Sequence, residues 1–575
     1  MDPRKKLAER LKYAVGLESA IKRERVDRFH FRKKETDDSL TELRLPIFYF
    51  GVLAILFIFL ARLFSLTVIS GSYNRELADN NRIRLLTIEA ARGDILDRNG
   101  EVVAFSRRAL ILEKDQLTSE ISENTAKELT DQGLAGEDFE GTLGKIQIEV
   151  RRLYPLGEDL AHVLGYVSQV APEDVIQRGI GASDGIGRLG IESTYDNFLR
   201  GKSGKKLVEV DASEKRVSIL GTVEGVSGKT IHLTIDSKLQ KVAAGALKKQ
   251  LSKTGSRGGA LVVTKVVTGE VLALVSLPSF DPSDIGRFVT SDQKPLFNRA
   301  VQGNYPPGSV FKIVSALAGL ESGEITKETE IEDVGEFTLG GERFSNWFYN
   351  TYGRRDGILK IDRAIGRSND IFFYRLGEKT GQMPISQMAI KLGLGQKTGI
   401  DLGDESLGLV PDEVWKSSSL EEDWYLGDTL HLAIGQGFIL TTPIQINSLT
   451  AFMAGGSLMK PYLVAKIEPD TTIGPKILGQ NLVKDGNFKK VREGMKLACQ
   501  TGGTGWPFFN AKYSVGCKTG TAEISQGNPH AWFTAFAPYD NSQVAITVLV
   551  ENGGEGSSVA APVALEVLDW YFGKK

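Results

Sequence analysis

Tyr305-Pro306-Pro307-Gly308-Ser309-Val310-Phe311-Lys312, followed by the apolar run from Ile313 to Leu320, is the stretch on which the reading of this chain turns. Two prolines and a glycine cannot lie inside a helix, so they set a rigid turn. Beyond them Val310, Phe311, Ile313, Val314, Ala316, Leu317, Ala318 and Leu320 are apolar nearly all the way round, the pattern of a helix buried in a core. Ser309 is therefore expected in the first turn of a buried helix, where free N–H groups and the helix dipole favour negative charge. Lys312, three residues on, falls on the same face. Burial disfavours an ammonium, and a neutral lysine can take the serine proton, so the pair reads as a nucleophile with its base. The plain alternative is a capping serine beside a snorkelling lysine. That alternative holds at Ser203 and Ser291, where the same Ser-x-x-Lys spacing lies in polar, loop-like surroundings.

The chain has 575 residues, enough for two to four domains and at least one sizeable core. A net charge of −2 gives no basic excess for a nucleic-acid partner. Two cysteines are too few for a disulfide scaffold, and no Cys/His cluster has zinc spacing. The five histidines are scattered, and a lysine three residues from Ser309 makes a histidine base unnecessary.

Residues 1–44 are crowded with charge, modestly in favour of base, and read as a cytoplasmic tail. From 45 to 67 the chain is apolar for roughly the 20 residues that a bilayer-spanning helix requires. Arg62 can snorkel from near its end. No Ala-x-Ala cleavage site follows, so the segment is expected to stay attached as a single anchor. Basic residues precede it, which puts the N-terminus in the cytoplasm and the bulk of the chain outside. Residues 68–225 are polar and mixed, with strand-like runs at Leu85–Ile88 and Leu110–Glu113 and an amphipathic helical pattern from Leu117 to Asp138. They contain no nucleophile–base pairing and read as a spacer.

From 226 to 575 the texture is that of an α/β domain. Thr230–Ile235 alternates as a strand and Lys238–Leu251 as a helix; Gly259–Lys265 and Glu270–Ser276 make a hairpin. Helices are expected over Asp362–Glu378 and Met388–Leu394. Strands follow at Ser514–Ala522, Ala531–Ala537 and Gln543–Glu551, then a helix from Ala560 to Phe572. Strands at both ends with helices between imply one sheet built from both ends of the domain, with a helical insert.

Two further stretches carry chemistry. Arg367-Ser368-Asn369-Asp370 opens an apolar helical run; Ser368 could relay protons, and Asn369 or Asp370 could make polar contacts into a cleft. Lys518-Thr519-Gly520-Thr521 lies inside a strand pattern, unlike the Lys-Thr-Gly copies at Lys253, Lys379 and Lys397, which read as helix ends. A glycine within a strand marks close approach by another backbone or a ligand, which leaves room for a peptide to pair along the strand edge.

Ser309-x-x-Lys312, Ser368-x-Asp370 and Lys518-Thr519-Gly520, in that order, resemble the three motifs of the penicillin-binding proteins and serine β-lactamases. The anchor, the spacer and the lack of a recognisable glycosyltransferase domain resemble class B, monofunctional transpeptidases. Arg92-Gly93-Asp94-Ile95-Leu96-Asp97-Arg98-Asn99-Gly100, His162-Val163-Leu164-Gly165-Tyr166-Val167, Gly427-Asp428-Thr429 and His530-Ala531-Trp532-Phe533 resemble the elongation-type branch, the penicillin-binding protein 2 group. That resemblance implies a serine β-lactamase/transpeptidase-like fold, an antiparallel sheet flanked by helices, on a mixed α+β pedestal of the penicillin-binding-protein dimerisation type. It implies a peptidoglycan stem peptide ending in D-alanyl-D-alanine as substrate, β-lactams as covalent inhibitors, and partners in a RodA-type glycosyltransferase and other elongation-complex proteins.

By the same resemblance Ser309 is the nucleophile, Lys312 its base, and Ser368 with Lys518 the route for a proton to the leaving group. The N–H groups of Ser309 and Thr521 form the oxyanion hole. Asn369, Asp370, Thr519, Gly520 and Thr521, with Lys518, bind substrate. Some members of the group carry a zinc site whose cysteine immediately precedes the second motif. Arg367 stands there instead, so neither a metal nor another cofactor is expected. A division-type enzyme of the same class is the nearest alternative, and a β-lactam sensor or non-turnover scaffold the alternative from another class. Cys499 and Cys517 could pair in an oxidising compartment. Strand alternation points Cys517 away from Lys518 into the core, however, so a plain buried thiol is the expectation.

Overall fold

The computed structural model describes residues 41–114, 117–136, 142–174, 185–211 and 216–573. The charged tail read from residues 1–40 lies outside them. The chain divides into two units, Met1–Arg82 and Ile83–Lys575. In the first, helix α1 (Thr41–Phe64) runs through the apolar segment, with Pro46 inside and Arg62 in its last turn. Pro46–Ile69 has a mean hydropathy of 2.6, and it is the one helix long and apolar enough to cross a membrane among the described residues.

The second unit is organised on its two largest sheets, beside a three-stranded one and several two-stranded ones. An eight-stranded sheet runs in the order 471–472, 464–467, 231–233, 95–96, 102–114, 144–153 and 135–136, with 117–121 pairing on 102–114. Strand Ile231–Leu233 is parallel to Ile95–Leu96 and antiparallel to Val464–Ile467, so this sheet draws on residues both before and after 226. The helix expected from Leu117 to Asp138 is shorter than its pattern. Leu117–Ile121 pairs instead as a strand with Leu110–Lys114, and a helix occupies only Glu123–Asp131. The Ser122 side chain, accepting from Thr125 N, caps that helix and ends the strand. Residues 137 and 138 lie outside the described set.

The other sheet holds the motifs. Its strands are β1 (Gly259–Lys265), β2 (Val271–Leu277), β3 (Gly516–Ala522), β4 (His530–Ala537) and β5 (Val544–Val550), in the spatial order β2-β1-β5-β4-β3 and antiparallel throughout. The hairpin β1–β2 and the last three strands meet at β1 and β5, as strands at both ends of the domain imply. Leu261, Val263, Phe533, Ala535, Ile546 and Val548 face a core shared with helices α2 (Ser237–Thr254) and α8 (Ala560–Gly573). Between the strands come α3 (Lys312–Ser322), α4 (Ile361–Arg367), α5 (Asp370–Thr380), α6 (Pro443–Gly455) and α7 (Asp485–Ala498). Helix α6 covers the opposite face, tied down by buried hydrogen bonds from Thr264 to Asn447 (2.6 Å) and between Thr450 and Thr534 (2.5 Å). Satisfied polar pairs of this kind fix the register of a helix on a sheet more strictly than apolar contact alone.

Candidate active site

The turn before α3 is built by close approach. Gly308 has φ +56°, and a Cβ there would lie 2.8 Å from Thr521 O, so no other residue fits without displacement. Its N–H donates to Gly435 O at 2.8 Å, and the Trp532 indole donates to Pro306 O at 3.0 Å. A Cβ at Gly520 would meet Pro307 O and Val310 Cγ1 at 3.1 Å. Glycines on both partners thus let strand β3 lie directly against the Ser309 turn. Ser309 sits in a 3₁₀ turn, Gly308–Phe311, and the α-helix begins only at Lys312. This differs from the expected first α-helical turn, but a 3₁₀ turn also stacks residues three apart, so Ser309 and Lys312 keep a common face.

The helix expected over Asp362–Glu378 is broken. Ser368 has φ +54°, α4 ends before it, and Asn369 caps α5 by accepting from Phe372 N at 2.9 Å. A non-glycine residue in the left-handed region is uncommon and costs of order 1–3 kcal/mol. Here it aims both oxygens of Ser368 at the two lysines. Lys312 Nζ donates to Ser368 O at 2.8 Å, approaches Ser368 Oγ at 3.5 Å, and pairs with Asp370 Oδ1 at 2.6 Å. Lys518 Nζ lies 2.7 Å from Ser368 Oγ and 2.9 Å from Thr519 O. None of these partners is Ser309, which the sequence pairs with Lys312. Residues 312, 368, 370 and 518 therefore converge around one hydroxyl.

A cleft of about 800 Å³ opens over this cluster, lined by Ser309, Ser368, Asp370, Thr519 and Thr521 among others. Both lysines are fully buried beneath it. Burial pulls the Lys312 pKa below its ordinary value, against Asp370, which raises it. Lys518 is held well below by burial and then by the charge of Lys312, with Asp370 opposing more weakly. One carboxylate serves two amines, so at least one amine is favoured in its neutral, proton-accepting form.

Two residues expected to touch substrate are placed otherwise. Asn369 is fully buried away from the cleft, its amide donating to Asp333 Oδ2 (2.9 Å) and Asp356 Oδ2 (3.1 Å). Gly520 faces the Ser309 turn. Arg367 pairs with Asp356 (2.8 Å), donates to Gly502 O (2.9 Å) and lies 4.5 Å over the Phe348 ring. Asp333, Asn346, Asn369, Asp356 and Arg367 thereby form one continuous hydrogen-bonded brace beneath the second motif.

The cysteine expectation is overturned as well. Cys517 does point away from Lys518 into the core, but it forms a disulfide with Cys499, Cα to Cα 5.8 Å. Alternation along β3 sets the direction of the side chain, and the end of α7 lies there to meet it. The sulfurs clamp a Gly-rich loop, Thr501-Gly502-Gly503-Thr504-Gly505, and a Cβ at Gly505 would strike both. Thr504, which the sequence reading passed over, hydrogen-bonds Thr519 Oγ1 at 2.8 Å; its Gly-rich setting directly after a helix is the signal that marks it.

Comparison with known proteins agrees with this geometry. Residues 259–569 match the penicillin binding protein transpeptidase domain, and residues 112–233 the penicillin-binding protein dimerisation domain. The chain is similar to peptidoglycan D,D-transpeptidase MrdA of Escherichia coli strain K12, 31% identical, with 94% of this chain and 95% of the relative covered. Among solved structures it resembles a complex between PBP2 and MreC from Helicobacter pylori (TM-score 0.72, 28% identity, 86% and 100% covered). It also resembles a chain of a peptidoglycan synthase complex studied for its coordination of polymerization and crosslinking (TM-score 0.74, 29% identity, 92% and 99% covered). By its three motifs, its five-stranded sheet and these matches, the chain belongs to the class B penicillin-binding proteins, with a transpeptidase domain and a dimerisation domain.

Proposed function

We infer that the protein is a peptidoglycan D,D-transpeptidase of the elongation type, cross-linking stem peptides through a serine acyl-enzyme. The observation that carries this reading is the convergence of Ser309, Ser368, Asp370, Thr519 and Thr521 on one cleft above two buried amines. In the proposed mechanism Ser309 Oγ attacks the carbonyl between the two terminal D-alanines, and its proton passes to Lys312. The N–H groups of Ser309 and Thr521 hold the resulting oxyanion, each such donor being worth about 10²–10³ in rate. The departing D-alanine takes a proton from Ser368 Oγ, which recovers one from the newly protonated Lys312 3.5 Å away, while Lys518 at 2.7 Å holds that hydroxyl in place. An amine of a neighbouring stem then attacks the ester, forming the cross-link and returning a proton to Ser309.

Lys518, Thr519 and Thr521 are assigned to the substrate carboxylate. Asp370, which lines the cleft and pairs with Lys312 at 2.6 Å, is assigned to that amine and to the substrate together with Thr519 and Thr521. The pedestal is assigned to residues 68–225 and the transpeptidase domain to 226–575. Basic residues ahead of α1 support a cytoplasmic N-terminus with the catalytic domain outside, anchored by a single span. A RodA-type polymerase and other elongation proteins are the partners of this reading, consistent with the assemblies in which the solved relatives occur.

Intact mass after β-lactam treatment tests the assignment. Wild type is expected to gain one β-lactam, Ser309→Ala none, and Lys312→Ala only a slow trace. A covalent adduct retained by Ser309→Ala would remove the nucleophile.

A further inference from the structure

At one end of the sheet, Gly259, Val550, Ala531 and Thr521 lie side by side across β1, β5, β4 and β3. Strand β1 runs from there to Lys265, so the β1–β2 turn stands at the other end, about 20 Å away at 3.3 Å per residue. That turn abuts Lys460: a Cβ at Gly269 would lie 2.5 Å from Lys460 O. Beside it opens a second concavity, a groove of about 440 Å³.

Lys391, Lys397, Lys460 and Lys476 line this groove, and no aspartate or glutamate does. None of the four is paired with a carboxylate among the described residues. The whole chain carries 72 acidic against 70 basic residues, so four lysines around an acid-free hollow depart from its average surface. Lys460 is half-buried, its stem packed against Gly399, where a Cβ would come within 3.4 Å of Lys460 Cε. Its charge is thus held at the groove by packing rather than free to swing into solvent. Leu458, Leu478 and Leu482 add an aliphatic wall.

These features select among anions. Lysine binds phosphate as a point charge, whereas directional recognition of phosphate comes from arginine forks or a nest of free backbone N–H groups. No arginine lines the groove, and the amides of Gly393 and Gly399 are already spent on Ile390 O and Glu405 Oε2. Dispersed point charges beside an aliphatic wall suit separated carboxylates joined by small apolar groups, which is the chemistry of an alanine-containing peptide with free acids. We propose that this groove is a second, non-catalytic site that holds a stem peptide of the cell-wall polymer by its free carboxylates. The inference rests on the transpeptidase reading: an enzyme working on a strand of repeated stems keeps that strand by gripping one stem while another reacts.

The experiment uses the full chain in detergent, with Ser309 first acylated by a β-lactam to close the cleft. The probe is a fluorescent synthetic stem pentapeptide with free carboxylates. Saturable binding to the acylated protein is expected. It should weaken at least tenfold in Lys397→Glu/Lys476→Glu, and less in Lys397→Ala/Lys476→Ala, with the acylation rate unchanged in both. Amidating the peptide's carboxylates should abolish it. No binding to acylated protein, equal binding by both variants, or displacement by polyphosphate at concentrations where excess peptide fails would overturn the proposal. Failure of the β-lactam to acylate would instead bring down the transpeptidase reading on which it stands.

Discussion

The Cys499–Cys517 disulfide offers the sharpest quantitative test, because the same link bears on stability and on the site. Replacing both cysteines by alanine removes a cross-link that closes 18 residues of chain. In the chain-entropy account such a loop is worth about 3 kcal/mol at 25 °C, since the unlinked unfolded chain regains the freedom the link denied it. Unfolding entropy of about 2.1 cal/mol/K per residue over the unit from Ile83 to Lys575 makes each degree of Tm worth roughly 1 kcal/mol. The double variant should therefore melt about 3 °C lower. Wild type in reductant strong enough to open the buried bond should melt with it.

The same link bounds the loop whose Gly502 O receives Arg367 and whose Thr504 holds Thr519. Loosening it should slow β-lactam acylation about tenfold, a loss of roughly 1.4 kcal/mol that is less than half of the constraint removed. Tm is read by scanning calorimetry and acylation by stopped flow with a fluorescent penicillin. Equal Tm values with and without the cysteines would refute the stabilising role. A lower Tm with an unaltered acylation rate would refute the claim that the loop sets the third motif.

Three further outcomes follow from the charges around Ser368. Asp370→Asn removes the carboxylate that raises the Lys312 pKa, and Lys312 must be neutral to accept the Ser309 proton. The acid limb of the acylation rate against pH should therefore move to lower pH; an unmoved or raised limb would contradict the base assignment. Lys518→Met should cost roughly a hundredfold or more in acylation while raising Tm at neutral pH. Because the folded-state pKa of Lys518 lies well below 10.5, the unfolded chain binds its proton more readily, and wild type gains stability as pH rises toward 10.5. Calorimetry across that window should find the variant's advantage shrinking with pH. Arg367→Met strands Asp356 in a buried pair and should destabilise by about 3–5 kcal/mol, largely recovered in Arg367→Met/Asp356→Asn and read by a double-mutant denaturation cycle.

Ser309, Lys312 and Lys518 were legible because each sits on an element that local rules alone define: two prolines and a glycine before an apolar helix, and an alternating strand interrupted by glycine. The break at Ser368 was not legible. Ser368-Asn369-Asp370 reads as the opening of a helical run, but nothing local calls for a left-handed residue there, and the contacts of Ser368 with Lys312 and Lys518 help offset its cost. Asn369 misleads for the same reason, since a residue beside a motif serine can face the cleft or cap the helix behind it, and the choice depends on Asp333 and Asp356, distant in the chain. The cysteine pair required knowing that the end of α7 lies beside β3. Above all, sequence named two basic side chains and one acid without saying which was paired with which. That allocation decides which amine can carry a proton away from a serine. It exists only once residues 312, 368, 370 and 518 share a space too small to hold two ammonium groups comfortably beside a single carboxylate.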